Sequence, residues 1–259
     1  MKIIDNHNHL YVPTTATGRD GFTKNPMRVE RILEDMDAAG IDMAGVCTVA
    51  QDMNNKYVLE CCEKYPDRLF GFCMVDPKSK DAVSELRYYL DHGMKGLKLH
   101  PRLHGYLLGN HDLVDPLMEV CREYKVPMFS HGGSEEMNHP FYFEEIAKAF
   151  PDVTIIMGHM CTPNYCTDAK MIAARNKNIY LDMSAAMYLS CKTALFTEGL
   201  TPEKLLMGSD WPGDSFKLSL LKTQLAAQAA FADDEKKQKE AIELMTGRNI
   251  ARILNIKID

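Results

Sequence analysis

Apolar residues in this chain fall into short continuous runs, separated by longer stretches in which they recur every three or four positions. The runs are KIID (2–5), MAGVCTV (43–49), RLFGFCMV (68–75), MKGLKLH (94–100), VPMFSH (126–131), VTIIMGH (153–159), NIYLDMS (178–184) and KLLMGSD (204–210). Strands buried on both faces read this way, because neither face alternates with solvent. Eight strands are therefore predicted. Between them, VERILEDMDAAG sets Val29, Ile32, Met36 and Ala39 at helical spacing and stops at Gly40, a residue suited to the left-handed C-terminal cap. DAVSELRYYLDHG does the same with Val83, Leu86 and Leu90 and closes on Gly93; LVDPLMEVCREYK and FYFEEIAKAF follow the same period. The tail, from DDEKKQKEAIEL to GRNIARILNI, predicts one or two closing helices.

From strand to strand the chain advances about 30 residues, the length of a βαβ unit. Eight such units in about 250 residues match the size and rhythm of a (β/α)8 TIM barrel. An open doubly wound sheet would place a glycine-rich phosphate loop after its first strand. Here that strand runs into His7-Asn8-His9 instead, which favours the barrel. The α/β barrel is expected to occupy residues 1–259 as one domain. Residues 10–27 form the longest irregular stretch, and a loop of that length is more often functional than decorative.

Composition narrows the partners. Thirty basic against 36 acidic residues leave a net charge of −6, with no basic block to attract nucleic acid or an anionic membrane. The N-terminus lacks the pattern of a signal peptide, and no stretch approaches the roughly 20 apolar residues of a spanning helix. Eight scattered cysteines contain no CxxC pair, and several, such as Cys47 and Cys73, lie in apolar runs as small hydrophobes. These features predict a reduced, cytoplasmic protein whose partner is a small-molecule substrate, with a homodimer left open as its assembly.

Polar residues gather where the predicted strands end. Residues two apart on a strand share a face, so Asp5, His7 and His9 are expected on one side. Lys98 and His100 end the fourth strand, His131 the fifth, His159 the sixth and Asp210 the eighth. In a barrel, the C-terminal ends of the strands carry the active site. Imidazoles with one carboxylate suit Zn²⁺, Fe²⁺, Mn²⁺ or Co²⁺. His7 and His9 can reach one ion, with a third histidine and an aspartate from other strands completing the set. Such an ion lowers the pKa of bound water to about 7, and a carboxylate beside it can move the proton. Lys98 in an apolar strand needs a partner, since burying an unpaired ammonium is costly. His92, His104, His111 and His139 fall in helices or loops and are expected to be solvated, with His104 and His111 able to border the pocket.

The ordered set DNHNH, GLKLHP, PMFSHGG, IIMGHM, NIYLDMS and LLMGSDWP resembles the amidohydrolase superfamily, and within it the amidohydrolase-2 branch of hydrolases and decarboxylases. The resemblance spans essentially the whole chain. It implies a distorted (β/α)8 barrel with one divalent ion, zinc most commonly, although the branch also has members that work without metal. By the family pattern His7, His9, His131 and Asp210 would bind the ion, and His159 would be the catalytic or substrate-polarising histidine. Lys98, at the place where some superfamily members bridge two metals, is assigned to the substrate or to an inner ion pair. His100 and Arg102 are assigned to the substrate, with Arg19, Tyr11 and Tyr106 as further loop contacts. Asp182 on strand seven is expected to support the site, and its loss to be milder than that of Asp210. Where many relatives carry glycine after the sixth-strand motif, this chain has Cys161, read as a pocket-wall residue. The activity implied is metal-dependent hydrolysis of a small polar or acidic lactone, amide or ester, with Asp210 as proton shuttle. Non-oxidative decarboxylation on the same scaffold is the alternative, and a catalytically silent binding barrel is a third.

Overall fold

The computed structural model describes residues 1–13 and 27–258. The strands are β1 (Ile4–His9), β2 (Met43–Cys47), β3 (Leu69–Gly71), β4 (Cys73–Met74), β5 (Leu97–Leu99), β6 (Met128–Ser130), β7 (Ile155–Met157), β8 (Ile179–Asp182) and β9 (Leu205–Leu206). Every strand pairs in parallel with the next, except that β3 and β4 divide what the sequence predicted as one strand. The chain kinks at Phe72, whose N–H donates to Val46 O at 2.9 Å while the N–H of Cys73 donates to Gly96 O at 2.8 Å. One apolar run thus hands the ring from one sheet to the other. The remaining seam is stitched by Asn6 N–H to Met207 O (2.9 Å), Asp210 N–H to His7 O (2.8 Å) and His9 N–H to Trp211 O (2.9 Å). Eight strand positions therefore encircle a common interior, as a (β/α)8 barrel requires.

Alternation along the strands sorts the core into two layers. Ile4, Met43, Phe70, Phe72, Met74, Phe129, Ile156 and Leu206 fill the barrel interior, together with Ile250, Ala251 and Leu254. Ala44, Val46, Leu97, Leu99, Met128, Ile155, Met157, Ile179 and Leu181 face outward onto the helices. Ile4 and Met43 begin their strands, so the helix Asn249–Leu254 seals the N-terminal end of the barrel. Large side chains leave room for polar groups only at the opposite end.

The helices Val29–Ala39, Ala82–Asp91, His111–Tyr124 and Pro140–Ala149 occupy the predicted stretches. Val29, Ile32 and Met36 face the core, and Gly40 caps that helix at φ +72°. A helix at Asn55–Lys64, not singled out by its sequence period, covers β2 and β3. The tail forms two helices, Glu235–Glu243 and Asn249–Leu254, joined through a π-helical turn at Leu244–Arg248. No helix among the described residues is long and apolar enough to cross a membrane. All eight cysteines are free.

Candidate active site

A β-bulge between Asp5 and Asn8 breaks the two-residue alternation of β1. Asn6 and His7 consequently both reach Asp182: Asn6 Nδ2 donates to Oδ1 at 3.0 Å, and His7 Nδ1 donates to Oδ2 at 2.8 Å. The expectation that Asp5 shares a face with the two imidazoles is corrected by the same bulge. Asp5 is fully buried, and its Oδ1 accepts from His7 N (3.2 Å), Asn8 Nδ2 (2.9 Å) and Ser209 N (3.2 Å). Burial lifts its carboxyl to about 7 despite these donors.

Asp182 at the end of β8 organises the centre. Besides Asn6 and His7 it accepts from His159 N (3.1 Å), from Ser184 N (3.2 Å) and from the Ser184 hydroxyl. Gly208 leaves the space this needs, since a Cβ there would lie 2.3 Å from Asp182 Oδ1. With Nδ1–H given to Asp182, His7 presents the lone pair of Nε2 to the interior. Burial and the neighbouring Lys98 ammonium bring its pKa down to about 3, so the ring is neutral at physiological pH.

Lys98 is 1% exposed; its Nζ donates to His7 Nε2 at 2.8 Å and lies 3.6 Å above the Phe129 ring. No carboxylate stands within ion-pair distance of it among the described residues. The expected inner ion pair is therefore replaced by an ammonium held by an imidazole and an aromatic face, and burial lowers its pKa.

Asp210 follows β9 in the left-handed region, at φ +58°, which aspartate tolerates better than most residues. Hydrogen bonds from Asp210 N to His7 O and from Gly213 N to Asp210 O (2.7 Å) fix that turn. Its Oδ1 lies 3.1 Å from His9 Nε2 and 3.5 Å from His7 Nε2. Burial alone would raise its pKa; the His9 hydrogen bond and the positive charge of that ring hold it well below the usual carboxylate range. Burial likewise opposes a charge on His9, but the negative charge of the Cys47 sulfur, whose own pKa His9 and Lys98 lower, together with Asp210 outweighs it and brings His9 to about 10.

His159 sits past the end of β7 in a tight turn, Gly158–Cys161, with φ +53°. Its Nδ1 lies 2.9 Å from Ser184 Oγ, and its Nε2 shares a hydrogen bond with His131 Nδ1 at 3.1 Å. His131 stacks on His100 with ring centroids 4.0 Å apart. Burial and the surrounding imidazoles push the pKa of His131 well down, and burial and Lys98 bring His100 to about 2.

Among the described residues, two groups bring ligand-type atoms within 4.8 Å of one another: His7, His159 and Asp210, and His7, His9 and Cys47. The Nε2 lone pair of the neutral His7 ring beside the ionised Asp210 carboxylate fits a divalent ion, and His9, held as a cation by Asp210, would release its proton to join them. His131 belongs to neither group. Its Nδ1 is taken by His159 and its ring by His100, so this arrangement does not bring it to His7 and His9 as the family pattern implies. Arg102 is more than half exposed and pairs with Glu135 Oε1 at 2.8 Å, while Glu135 Oε2 stands 3.8 Å from His131 Nε2. Glu135 escaped the sequence reading; its position four residues after a strand-end histidine was the available signal.

The other expected contacts divide. Tyr11 is buried and donates to Asp52 (2.8 Å), Tyr106 is buried, and Arg19 lies outside the described residues with most of the 10–27 loop. His104 Nε2 lies 3.2 Å from Ala50 O, and His111 pairs with Asp115 on its own helix. Cys161 is wholly buried in the helix-facing core and does not line the pocket. A cavity of about 320 Å³, bordered by His9, Val49, Gln51, His100, Leu103 and Asp210, opens the site to solvent. A larger groove of about 800 Å³ between Arg31, Asp35 and Trp211–Lys217 contains none of these imidazoles.

Solved structures with the same fold include a TIM-barrel protein of Bordetella bronchiseptica (TM-score 0.77, 18% identity, covering 99% of both chains). Another is a candidate 2-pyrone-4,6-dicarboxylic acid hydrolase of Acinetobacter baumannii with citric acid bound (0.68, 18%, covering 98% of this chain and 100% of that one). A third is a zinc-bound amidohydrolase of Burkholderia multivorans (0.70, 11%, covering 99% and 100%). No curated protein sequence matches the chain. The amidohydrolase family model matches residues 4–256, from the first strand to the closing helix, and the chain accordingly belongs to the amidohydrolase family of enzymes, in its amidohydrolase-2 branch.

Proposed function

We propose that the protein is a metal-dependent hydrolase acting on a small polar or acidic lactone, amide or ester. The observation that carries this reading is the Asp210 carboxylate, ionised, 3.1 Å from His9 Nε2 and 3.5 Å from His7 Nε2 at the mouth of a closed polar centre. His7, His9 and Asp210 would hold one divalent ion, Zn²⁺ by donor chemistry, with the hydrogen-bonded pair His159 and His131 offering the remaining nitrogen. Such an ion brings the pKa of water close to neutrality.

The chain's own residues supply the rest. Asp210 accepts the proton of the attacking water and returns it to the leaving group. Asp182 holds His7 in the tautomer that points Nε2 inward. His159 and Lys98 offer N–H donors where negative charge grows on the substrate oxygen. Lys98, His100 and Arg102 form the cationic and polar side that would receive a substrate carboxylate. The candidate pyrone dicarboxylic acid hydrolase among the similar structures, a lactone-type assignment with a bound polyacid, supports that substrate class.

The test is metal analysis of protein purified without added metal, followed by turnover of lactones, amides, esters and aromatic acids. Uptake of water into the product with an ion bound is expected. Carbon dioxide release without water uptake would replace hydrolysis by decarboxylation, and absence of turnover and of metal would leave a silent barrel.

A further inference from the structure

The helices Tyr188–Ala194 and Phe216–Ala230 are neighbours in the outer layer. Cys191 and Ala194 of the first and Phe216, Thr223 and Ala227 of the second turn inward. Their outward faces are apolar as well. Leu218, Leu221 and Leu225 recur at helical spacing on the longer helix. Leu189 and Phe196 stand two turns apart on and just beyond the shorter one, with Met187 and Tyr188 at its start; all seven are between 38% and 63% exposed. Lys222 ties the longer helix to the start of the shorter, its Nζ donating to Ala186 O at 3.1 Å and to Asp214 Oδ2 at 2.9 Å. A surface helix is ordinarily polar on its outer face, and one that is apolar all round is covered. At about 200 Å² for each side chain fully exposed, the fractions leave about 700 Å² in water. A lone globular protein seldom exposes an apolar patch above about 300–600 Å², and each side of a stable interface buries about 800 Å².

Charge narrows the occupant. Residues 187–197 and 215–232 contain no acidic side chain and three lysines, of which Lys222 is buried. Lys192 and Lys217 are too few to draw the face to an anionic membrane. The segment 14–26, outside the described residues, has one large apolar side chain, Phe22, against seven on this face. A face that meets its own copy across a two-fold axis must not oppose like charges, and a nearly uncharged apolar face satisfies that condition. We propose that the outward faces of these two helices join two copies of the chain into a symmetric dimer, Leu218, Leu221 and Leu225 with Leu189 and Phe196 forming the buried centre of the contact.

The experiment is sedimentation equilibrium of the full-length protein across about 1–100 μM, which reaches the weak end for interfaces of this area. The wild type is expected at twice the chain mass at the upper concentrations. Leu221→Glu and Leu225→Lys should weaken association at least about 100-fold, because one substitution alters both copies of the contact. Both side chains are already part-exposed, so far-ultraviolet circular dichroism should be unchanged. Tyr88→Glu, at an equally exposed apolar residue on the helix Ala82–Asp91, should leave the dimer intact. Hydrogen exchange of the wild type should slow in 187–197 and 216–228 on concentration, and not in 82–91. A wild type that stays monomeric at the highest concentration overturns the proposal, and its sedimentation with phosphatidylserine vesicles would give the face to a membrane instead. A dimer that survives both substitutions in folded protein, or protection that rises only outside these helices, overturns it too.

Discussion

Asp182 and Asp210 are both strand-end aspartates, yet their surroundings give them different work. Asp210 has one oxygen between two imidazoles at the cavity mouth, where it can exchange protons with a reactant. Asparagine there keeps the shape and one oxygen but loses the base. Asp210→Asn is expected to fold and to lower kcat about 100-fold or more, the scale of general-base catalysis; kcat with metal content measured alongside decides it. Asp182 is 0% exposed, and both of its oxygens already accept hydrogen bonds. Asparagine at 182 would turn an amide N–H either toward His7 Nδ1 and His159 N, which share Oδ2, or toward Asn6 Nδ2 and Ser184 N, which share Oδ1, all of them donors in this arrangement. The expected result is a metal affinity lowered about 10- to 100-fold, measured by competition with a chelator, and kcat close to normal once the ion is saturating. Unchanged affinity in Asp182→Asn would show that His7 needs no such anchor.

Neighbouring helices of the outer layer are tied by a charged clamp. Glu144, on the helix Pro140–Ala149, accepts from Arg175 Nε (2.7 Å) and Nη2 (2.6 Å) and from Asn176 Nδ2 (3.0 Å), at the end of the helix Cys166–Arg175. The bidentate Arg175 contact brings the Glu144 carboxyl down to about 2. Because the folded pKa lies below the unfolded value of about 4.3, the native state binds fewer protons in that window. The clamp's stabilisation is complete above about pH 4.3 and is lost as pH falls toward 2. A shift of about two units corresponds to about 3 kcal/mol, which screening of the half-exposed Arg175 reduces to about 1–2 kcal/mol. Glu144→Gln should cost that much at pH 7 in urea denaturation, with the difference from wild type shrinking as pH approaches 2. A pH-independent difference would assign the loss to packing.

At the scale of the whole molecule, a centre built from β1, β5, β7, β8 and the segment after β9 joins distant parts of the ring. An ion bound there stabilises only the closed ring, because the unfolded chain does not assemble the donors. At a free concentration 100 times its Kd the ion contributes about 2.7 kcal/mol. For a chain of this size that raises Tm by about 5–10 °C. Calorimetry with zinc and then with excess chelator should show this difference; equal Tm values would mean that the donor set does not close on an ion.

Much of the architecture was legible because it depends on near neighbours in the chain. Continuous apolar runs specify strands buried on both faces, three-to-four spacing specifies helices, Gly40 stops the first of them, and alternation places Lys98 and Phe129 inside. The polar residues at strand ends were visible for the same reason. What decided the site is contact across the closed ring. Asn6 and Asp182 are 176 positions apart, and Lys98 lies 91 positions from the ring nitrogen it bonds. The bulge in β1, the left-handed turns at His159 and Asp210, the stacking of His131 on His100 and the capture of Arg102 by Glu135 all arise where strands and loops from different units meet. No local period encodes such meetings: they follow from ring closure, which brings side chains together by barrel geometry rather than by distance along the sequence.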